Sequence, residues 1–184
     1  MEHERNPRNV TTAYTYDSNS NMQTVTTGGE GWSFKQPGTG TEEEVTFEIS
    51  AYDVFTRLIS VQNDNYIARY KYNADGLRTS KTVTQGETTT STKFLYESGE
   101  VTLELDDAGA QTAYNVYGNG SIISRKTAQG TDYYIYNGRG DVVQLTNTWG
   151  AVTVTYDYDA FGNLLDAQVG DTNPFRYCGE YWDF

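Results

Sequence analysis

The 184-residue sequence has few of the residues that build metal centres, disulfides or nucleophilic sites. It contains one cysteine, Cys178, and one histidine, His3, so it offers neither an internal disulfide nor a histidine–cysteine metal cluster. A Ser–His–Asp arrangement has no support, because the only histidine lies at the extreme N-terminus. We therefore expect a chain that is not an enzyme and has no catalytic residues, cofactor or metal site.

Basic residues and long apolar runs are also scarce. Thirteen lysine and arginine residues stand against 25 aspartate and glutamate residues, which gives a net charge of −12. Nucleic-acid binding needs clustered cations, so this balance argues against nucleic acid and against an anionic membrane surface as partners. The sequence has no run of about 18 apolar residues, which excludes a membrane-spanning helix. The N-terminal residues do not include the apolar segment that a secretion signal needs, so we expect that the chain carries no secretion signal of its own.

Tyrosine, by contrast, is abundant and periodic. Sixteen tyrosines include a series that closes similar short motifs, often with an aspartate next in sequence, as at Asp17, Asp53 and Asp159. The members of this series are Tyr16, Tyr52, Tyr72, Tyr96, Tyr117, Tyr136 and Tyr158. From Tyr52 onward their spacing is close to twenty residues, which is typical of an array whose units pack on their neighbours.

Glycines divide each of these units into two strands. Gly76, Gly99, Gly120 and Gly140 each lie ten residues before a second glycine, and Gly162 follows the last tyrosine motif. Glycine, asparagine and aspartate supply the positive-φ positions of tight turns, and about eight residues between turns suit one strand. The pattern predicts that one repeat is a β-hairpin and that two kinds of turn alternate along the chain.

The segments between the glycines show the alternation of half-buried strands. Val152, Val154, Tyr156 and Tyr158 share one face of a predicted strand, and threonine and aspartate occupy the other. The predicted fold class is all-β, an antiparallel sheet of consecutive hairpins forming a curled ribbon or a partial barrel or shell. Unpaired strands at the edges of an open sheet predict self-association, or docking against a longer protein.

Other short motifs are better explained by structure than by chemistry. Asp157 and Asp159 point the same way from one strand, as paired acid–base groups do, but a solvated sheet face accounts for them. The segment from Asn73 to Gly76 has only part of a calcium loop and is interpreted as a turn. The integrin-type tripeptide 139–141 coincides with a repeat turn, and Cys178 is interpreted as buried or incidental.

The motif Tyr156-Asp-Tyr-Asp-Ala-Phe-Gly162-Asn-Leu164 resembles the tyrosine–aspartate (YD) repeat of Rhs proteins. That family includes wall-associated proteins and is similar to the barrel region of teneurins. The tail Asn173-Pro-Phe-Arg-Tyr-Cys-Gly-Glu-Tyr-Trp-Asp183 resembles the end of Rhs cores. The resemblance covers about residues 10–184, but residues 22–50 match poorly and contain only candidate strands, at 32–34 and 45–49. Ser20 and Thr56 stand where other repeats have glycine.

The resemblance implies a panel of a hollow β-shell that encloses or presents a C-terminal polymorphic toxin in bacterial competition. It divides the chain into a disordered N-terminus (1–13), a repeat array (14–170) and an Rhs core tail segment (171–184). The self-cleaving Asp-Pro motif of such shells is expected beyond Phe184, and the location is expected to be secreted or at the cell surface as part of a larger protein. The implied partner is the remainder of a longer Rhs polypeptide. The alternative is a glycan-binding module that uses exposed tyrosines, because the repeats of this family have traditionally been linked to carbohydrate binding.

Overall fold

The structure, a computed structural model, describes residues 2–5, 11–28, 46–165 and 170–182, with the backbone alone at 2–5, 11, 27–28 and 46–47. The described residues are strands and turns, apart from one 3-10 turn at Tyr177–Gly179. None of them forms a helix long and apolar enough to cross a membrane. The strands are β1 (Glu2–Arg5), β2 (Thr11–Tyr16), β3 (Met22–Gly28), β4 (Thr46–Tyr52), β5 (Leu58–Asn63), β6 (Ile67–Tyr72), β7 (Arg78–Gln85), β8 (Thr88–Glu97), β9 (Glu100–Leu105), β10 (Gln111–Gly118), β11 (Ser121–Thr127), β12 (Gly130–Tyr136), β13 (Val142–Thr146) and β14 (Val152–Thr155).

The strands follow one another in the sheet in chain order, and the described pairings are antiparallel. The predicted fold class, an all-β sheet of consecutive hairpins, is therefore confirmed. The chain divides into two compact units, residues 1–93 and 94–184, with the boundary inside β8.

Part of the segment 1–13, for which the sequence predicts disorder, is described as strand. Residues 2–5 form β1 and pair with β2, which begins at Thr11, so these stretches have backbone partners. The candidate strand at 45–49 overlaps β4, whereas the candidate strand at 32–34 lies outside the described residues. The repeat array at 14–170 and the tail segment at 171–184 stay predictions as domains.

One wide turn recurs seven times in the described residues. In the copy at Asn137, the Asn137 N–H donates to Asp141 O (3.0 Å) and Gly140 N–H donates to Asn137 O (3.2 Å). The Asn137 Oδ1 accepts the N–H groups of Arg139 (2.9 Å) and Asp141 (3.1 Å). An aspartate or asparagine side chain therefore closes the turn on its own backbone. The same hydrogen bonds to the residue four positions on occur at Asp17, Asp53, Asn73, Asp106, Asn137, Asn147 and Asp159.

The fourth residue of each wide turn has a positive φ. Five of the seven copies place glycine there, and Ser20 and Thr56 adopt the same conformation at φ 65° and 63°. The departure from glycine in the sequence therefore did not change the turn. A non-glycine residue in this region carries a steric cost, which is greatest for a β-branched residue such as Thr56.

The second kind of turn is a two-residue hairpin loop. Ser98 and Gly99 both have positive φ (54° and 91°), as do Asn119 and Gly120 (53° and 77°), the geometry of type I′ turns. These loops replace the wide turn after β8 and β10, where the sequence has too few residues for it. The predicted strict alternation of turn types is wrong in the second unit, because β12 and β13 are both followed by wide turns.

A β-bulge follows many of these turns and reverses which face the strand buries. In β10 the register steps from Gln111↔Leu105 to Ala113↔Glu104, which leaves Thr112 as the extra residue. Its hydroxyl donates to Glu104 O at 3.1 Å. Bulges reorient the side chains that follow them, so a simple alternation of two does not continue through the strand. Equivalent extra residues are Gln23, Ile59, Thr79, Ile123, Val143 and Thr153.

The second unit holds an aromatic core. It consists of Ile122, Tyr134, Val142, Leu145, Tyr156 and Phe175, with Tyr117, Tyr136, Val154, Tyr158, Leu164 and Tyr181 packed against it. Phe175 belongs to the tail, so this core is a sheet face covered by the chain's own C-terminal segment. Among the described residues of the first unit, the buried hydrophobic side chains are the smaller Ala13, Val61 and Ala68.

Candidate functional site

Residues 170–182, here called the tail hairpin, satisfy much of their own backbone hydrogen bonding. Phe175 pairs with Tyr181, Arg176 N–H donates to Glu180 O (3.2 Å), and Glu180 N–H donates to Tyr177 O (3.0 Å). One backbone bond joins the hairpin to the sheet, from Val142 N–H to Arg176 O at 3.0 Å. The hairpin is thus a small folded piece held on the second unit chiefly by its side chains.

The surface under the hairpin, here called the docking face, comprises Tyr117, Arg125, Tyr134, Asp141, Tyr156 and Tyr158. Two of its tyrosine hydroxyls bind the start of the hairpin. Tyr134 donates to Asn173 Oδ1 at 2.5 Å, and Tyr156 donates to Asp171 Oδ2 at 2.7 Å. Asn173 Nδ2 in turn donates to the Tyr156 oxygen at 3.1 Å. Asn173 is only 8% exposed, so its amide has lost most of its hydrogen bonds to water. The bonds to Tyr134 and Tyr156 replace them.

Phe175 is the apolar anchor of the hairpin. Its ring makes edge contacts with Tyr117, Tyr134 and Tyr181 at centroid distances of 6.4, 6.0 and 5.3 Å. Tyr181 continues the series onto Phe94 at 5.6 Å. The Phe175 residue is 4% exposed, so burial of its whole ring stabilises the docked position.

A buried ion pair lies beneath this anchor. The Arg125 guanidinium binds both carboxylate oxygens of Glu104, with Nη2 to Oε2 at 2.9 Å, and donates to Asn115 Oδ1 at 3.0 Å. Its Cζ stands 6.0 Å from the centre of the Phe175 ring. Burial acts to lower the pKa of Arg125, but the hydrogen bonds and charge of Glu104 hold it above the ordinary value. The strands therefore hold the planar, positively charged Arg125 guanidinium in a fixed position under the hairpin.

Asp141 fastens the turn of the hairpin. Its Oδ1 accepts the Cys178 N–H at 3.1 Å, and its Oδ2 accepts from Asn137 Nδ2 at 2.7 Å. The hydrogen bond from the Asn137 amide, opposed by burial and helped by the Cys178 N–H, holds the pKa of Asp141 below its usual range. Asp141 is 1% exposed, so the tripeptide 139–141 cannot present its carboxylate to an integrin.

A second close contact fixes the hairpin beside the last wide turn. Tyr177 packs on Tyr158 at 5.6 Å and against Gly162, where an added Cβ would lie 2.7 Å from the Tyr177 ring. Gly162 also has φ 87°, so both conformation and space require glycine. This is the place where the repeat and the tail meet.

Comparison with known proteins agrees with this architecture. No model of a known protein family matches the chain. The chain is 29% identical to tRNA nuclease WapA of Bacillus subtilis and to the tRNA3(Ser)-specific nuclease WapA of Bacillus spizizenii, each over 92% of the chain. It is 30% identical over 84% of its length to the tRNA(Glu)-specific nuclease WapA of Bacillus subtilis subsp. natto. It spans only 7–8% of the length of these relatives.

Solved structures show the same fold at low sequence identity. The chain matches the Photorhabdus luminescens Tc holotoxin pore with a TM-score of 0.59 and 15% identity, over 95% of this chain and 11% of that one. It matches the TcdB2–TccC3 crystal structure with a TM-score of 0.57 at the same identity and coverage. The tyrosine repeat, the fold and the relatives concur. The chain is an Rhs-type YD-repeat segment.

In this YD-repeat segment three of the predicted repeat tyrosines make equivalent hydrogen bonds. Tyr72, Tyr136 and Tyr158 each precede a wide turn and donate a hydroxyl hydrogen to a backbone carbonyl of an earlier strand, at 2.8, 2.6 and 2.9 Å. Burial raises the pKa of Tyr136 to about 12 and raises that of Tyr158 as well. The bonds link one hairpin to the preceding one.

The other predicted residues lie at turns and strand ends. Asp17, Asp53 and Asp159 close wide turns, in which Gly76, Gly140 and Gly162 hold the positive-φ position. Gly99 and Gly120 lie in the two-residue loops. Tyr16 and Tyr52 end β2 and β4, Tyr96 and Tyr117 lie near the ends of β8 and β10, and Tyr16 is 44% exposed. Their role in defining the repeat stays a prediction.

The acidic residues considered as acid–base candidates are not poised for that chemistry. Asp159 accepts hydrogen bonds from Asn163, side chain and backbone, which lower its pKa, whereas a general acid needs a raised value. Asp157 is exposed. Within the described ranges, no three acidic, histidine or cysteine side chains are grouped to hold a metal ion.

Two cavities flank the tail hairpin. One, of about 250 Å³, lies between Glu100, Tyr117 and Cys178, and the other, of about 280 Å³, lies between Phe161 and Trp182. No buried side-chain polar atom among the described residues lacks a hydrogen-bond partner, so neither cavity contains an unsatisfied group that calls for a ligand. Cys178 is exposed rather than buried.

Sequence patterns alone did not reveal the cluster of Glu104, Asn115 and Arg125. The alternation of Val101, Leu103 and Leu105 assigns Glu104 to the wetter face, whereas it is 4% exposed in the structure. A bulge placed one paired residue after the turn in β10 and two after the turn in β11 would have put all three side chains on one face.

Proposed function

We propose that this YD-repeat segment is a non-catalytic structural module, a panel of an Rhs-type β-shell that encloses or presents a C-terminal toxin in bacterial competition. The observation that carries the proposal is how its polar repeat residues are used. The turn aspartates and asparagines bind their own backbone, and the repeat tyrosines bind carbonyls of the preceding hairpin. Residues whose hydrogen bonds hold neighbouring strands together in this way are typical of a structural repeat.

The relatives support a structural role for this segment, with enzymatic activity in another part of the polypeptide. They are named as tRNA nucleases, and this chain matches less than a tenth of each. The chain's net charge of −12 is unsuited to binding tRNA, so we assign nuclease chemistry to another part of such a polypeptide. The partner of the panel is then the remainder of a longer Rhs polypeptide, which is secreted or held at the cell surface.

A direct test compares this chain with the complete gene product that contains it. The purified chain should leave tRNA intact over a range of salt concentrations. In the complete protein, Tyr156→Ala should open the panel and make the C-terminal portion sensitive to limited proteolysis. Tyr133→Ala removes an exposed tyrosine from the same unit and should leave protection unchanged. Cleavage of tRNA by the isolated chain would refute the non-catalytic assignment, and unchanged protection in Tyr156→Ala would refute the shielding role.

A second candidate function is glycan binding through the tyrosines that remain exposed. Tyr114 and Tyr133 are 44% and 40% exposed, so their rings can stack on a sugar. A glycan array probed with the wild-type chain and with the Tyr114→Ala/Tyr133→Ala variant tests it. Binding that disappears in the double variant, with an unchanged circular dichroism spectrum, would support this candidate, and the absence of any binding would exclude it for the glycans on the array.

A further inference from the structure

We propose that the docking face is a peptide-binding site that accepts the tail hairpin of a second copy of this chain in place of the chain's own. The occupant seen in the structure defines the ligand: a short hairpin with the pattern Asp-x-Asn-Pro-Phe-Arg-Tyr, supplied by residues 171–177. This inference is independent of the shell function, since it concerns only how the second unit recognises a tail.

Each partner of this contact has hydrogen bonds of its own. The hairpin has internal hydrogen bonds between Arg176 and Glu180, between Glu180 and Tyr177, and between Trp182 and Pro174. On the other side, Arg125 is fixed by Glu104 and Asn115, which both belong to the strands. Partners that keep such bonds when apart lose less conformational entropy on binding, so the contact can re-form between molecules.

The contacts between the hairpin and the docking face are dense and contiguous. Thirteen residues (170–182) carry an apolar anchor, Phe175, in an aromatic cleft, surrounded by polar contacts. These contacts are the pairs Tyr134–Asn173, Tyr156–Asp171 and Asp141–Cys178 N–H. A buried aromatic anchor with a ring of satisfied polar contacts is the usual arrangement of an interface hot spot.

Separation would leave no unpaired polar group in an apolar interior. Removing the hairpin exposes the hydroxyls of Tyr134 and Tyr156 to water, while the Arg125–Glu104 pair stays intact. The Val142 N–H loses its backbone partner, the Arg176 carbonyl, and Asp141 Oδ1 loses the Cys178 N–H, while Asp141 Oδ2 keeps its bond from the Asn137 amide. The barrier to exchange is therefore chiefly the burial of Phe175, which a second hairpin of the same sequence recovers in full.

The intramolecular hairpin competes with any peptide at an effective concentration on the order of millimolar, so the test first weakens it. We would use the full chain with Phe175→Ala and a fluorescent synthetic peptide of residues 170–182 that carries serine at position 178. Fluorescence anisotropy should show binding to this variant at least tenfold tighter than to the wild-type chain. The matched control is Trp149→Ala, which removes an 88% exposed tryptophan from a wide turn of the same unit and should bind no better than wild type.

Peptide variants test whether the predicted contacts are used. Peptides with Phe175→Ala or Asn173→Ala should bind the weakened chain at least tenfold more weakly than the parent peptide. A folded Phe175→Ala chain that does not bind the parent peptide at millimolar concentration would overturn the proposal, as would equal binding of parent and altered peptides.

Two further measurements decide the case if Phe175→Ala does not fold. Arg176→Ala weakens the hairpin by removing its bond to Asp171 and its contact with Tyr156, and it should give the same order of peptide affinities. The wild-type chain can also be irradiated with a peptide that has a benzophenone in place of the Phe175 ring. Crosslinks at Tyr117 or Tyr134 are expected, and a pattern no different from that of a scrambled peptide would overturn the proposal.

Discussion

Thr56 occupies a left-handed turn position that five of the seven wide turns give to glycine. Its φ is 63°, and its side chain is exposed, so it contributes no core contact that a substitution would remove. A β-branched residue is among the least suited to this conformation, which costs an L-residue about 1–2 kcal/mol. We expect Thr56→Gly to stabilise the first unit by relieving that strain.

The size of the effect follows from two opposing contributions. Relief of strain favours the glycine variant by about 1–2 kcal/mol. The greater freedom of glycine in the unfolded chain offsets roughly 0.5–1 kcal/mol of this gain. The net stabilisation should be about 1 kcal/mol. It should appear as a higher urea midpoint with an unchanged dependence of the unfolding free energy on urea, because the surface exposed on unfolding does not change.

The matched control is the reverse exchange in the same unit. Gly76 has φ 84° at the equivalent position of the next wide turn, and an added Cβ would meet no atom within 4 Å. Gly76→Thr should therefore destabilise by about 1 kcal/mol, because backbone strain of about 1–2 kcal/mol is partly offset by roughly 0.5–1 kcal/mol from the reduced freedom of the unfolded chain. If Thr56→Gly lowers the midpoint, or if Gly76→Thr leaves it unchanged, then backbone strain at this position does not set the stability of the turn.

Three further outcomes follow from the second unit. Phe175→Ala should cost about 3–5 kcal/mol of unfolding free energy and Phe161→Ala at most about 0.5 kcal/mol, measured by denaturation; similar values would contradict the anchor role of Phe175. Tyr136→Phe should cost about 1 kcal/mol through loss of its bond to Ile122 O, whereas Tyr133→Phe should be nearly neutral. Because burial raises the pKa of Tyr136 to about 12, above the unfolded value of about 10, its contribution is complete below pH 10 and is lost as the pH rises toward 12. A tyrosinate absorbance titration of wild type against Tyr136→Phe checks this, and an ordinary pKa at that position would refute it.

Much of the fold could be predicted from local sequence. The wide turn is set by residues within five positions, since Asn137 binds the backbone N–H groups of Arg139 and Asp141 and Gly140 supplies the positive φ. Glycine at the fourth position was not essential to the turn, as Thr56 shows. A pattern search that required glycine would have missed two of the seven copies.

The bulges explain why the faces of strands were harder to predict than the strands. One extra residue, such as Thr112, moves the following side chains to the other face, so Asn115 is buried together with Glu104. Alternation in the sequence contains no mark of where the register shifts. The bulge becomes visible only when both paired strands are known.

The docking of the tail depends wholly on long-range packing. The motif at residues 173–183 was recognised as a family resemblance, but nothing local indicated that Asn173 binds Tyr134 or that Asp141 binds the Cys178 N–H. These pairs are separated by 39 and 37 residues. Contacts at such separation depend on how the sheet places its strands, and no periodicity encodes that.

The sequence by itself determined the all-β class, the hairpin repeat and the chemistry of its turns, because hydrogen bonds within five residues and alternation along one strand are local properties. The tertiary structure decided which face is buried, which tyrosines become core, and that Asp141 is closed off from solvent. It also decided that the Arg125 guanidinium, paired with Glu104, lies under the Phe175 ring. Each of these depends on the register between strands and on how the tail folds back onto the sheet. Burial of the Phe175 ring contributes more to that fold-back than any local conformational preference.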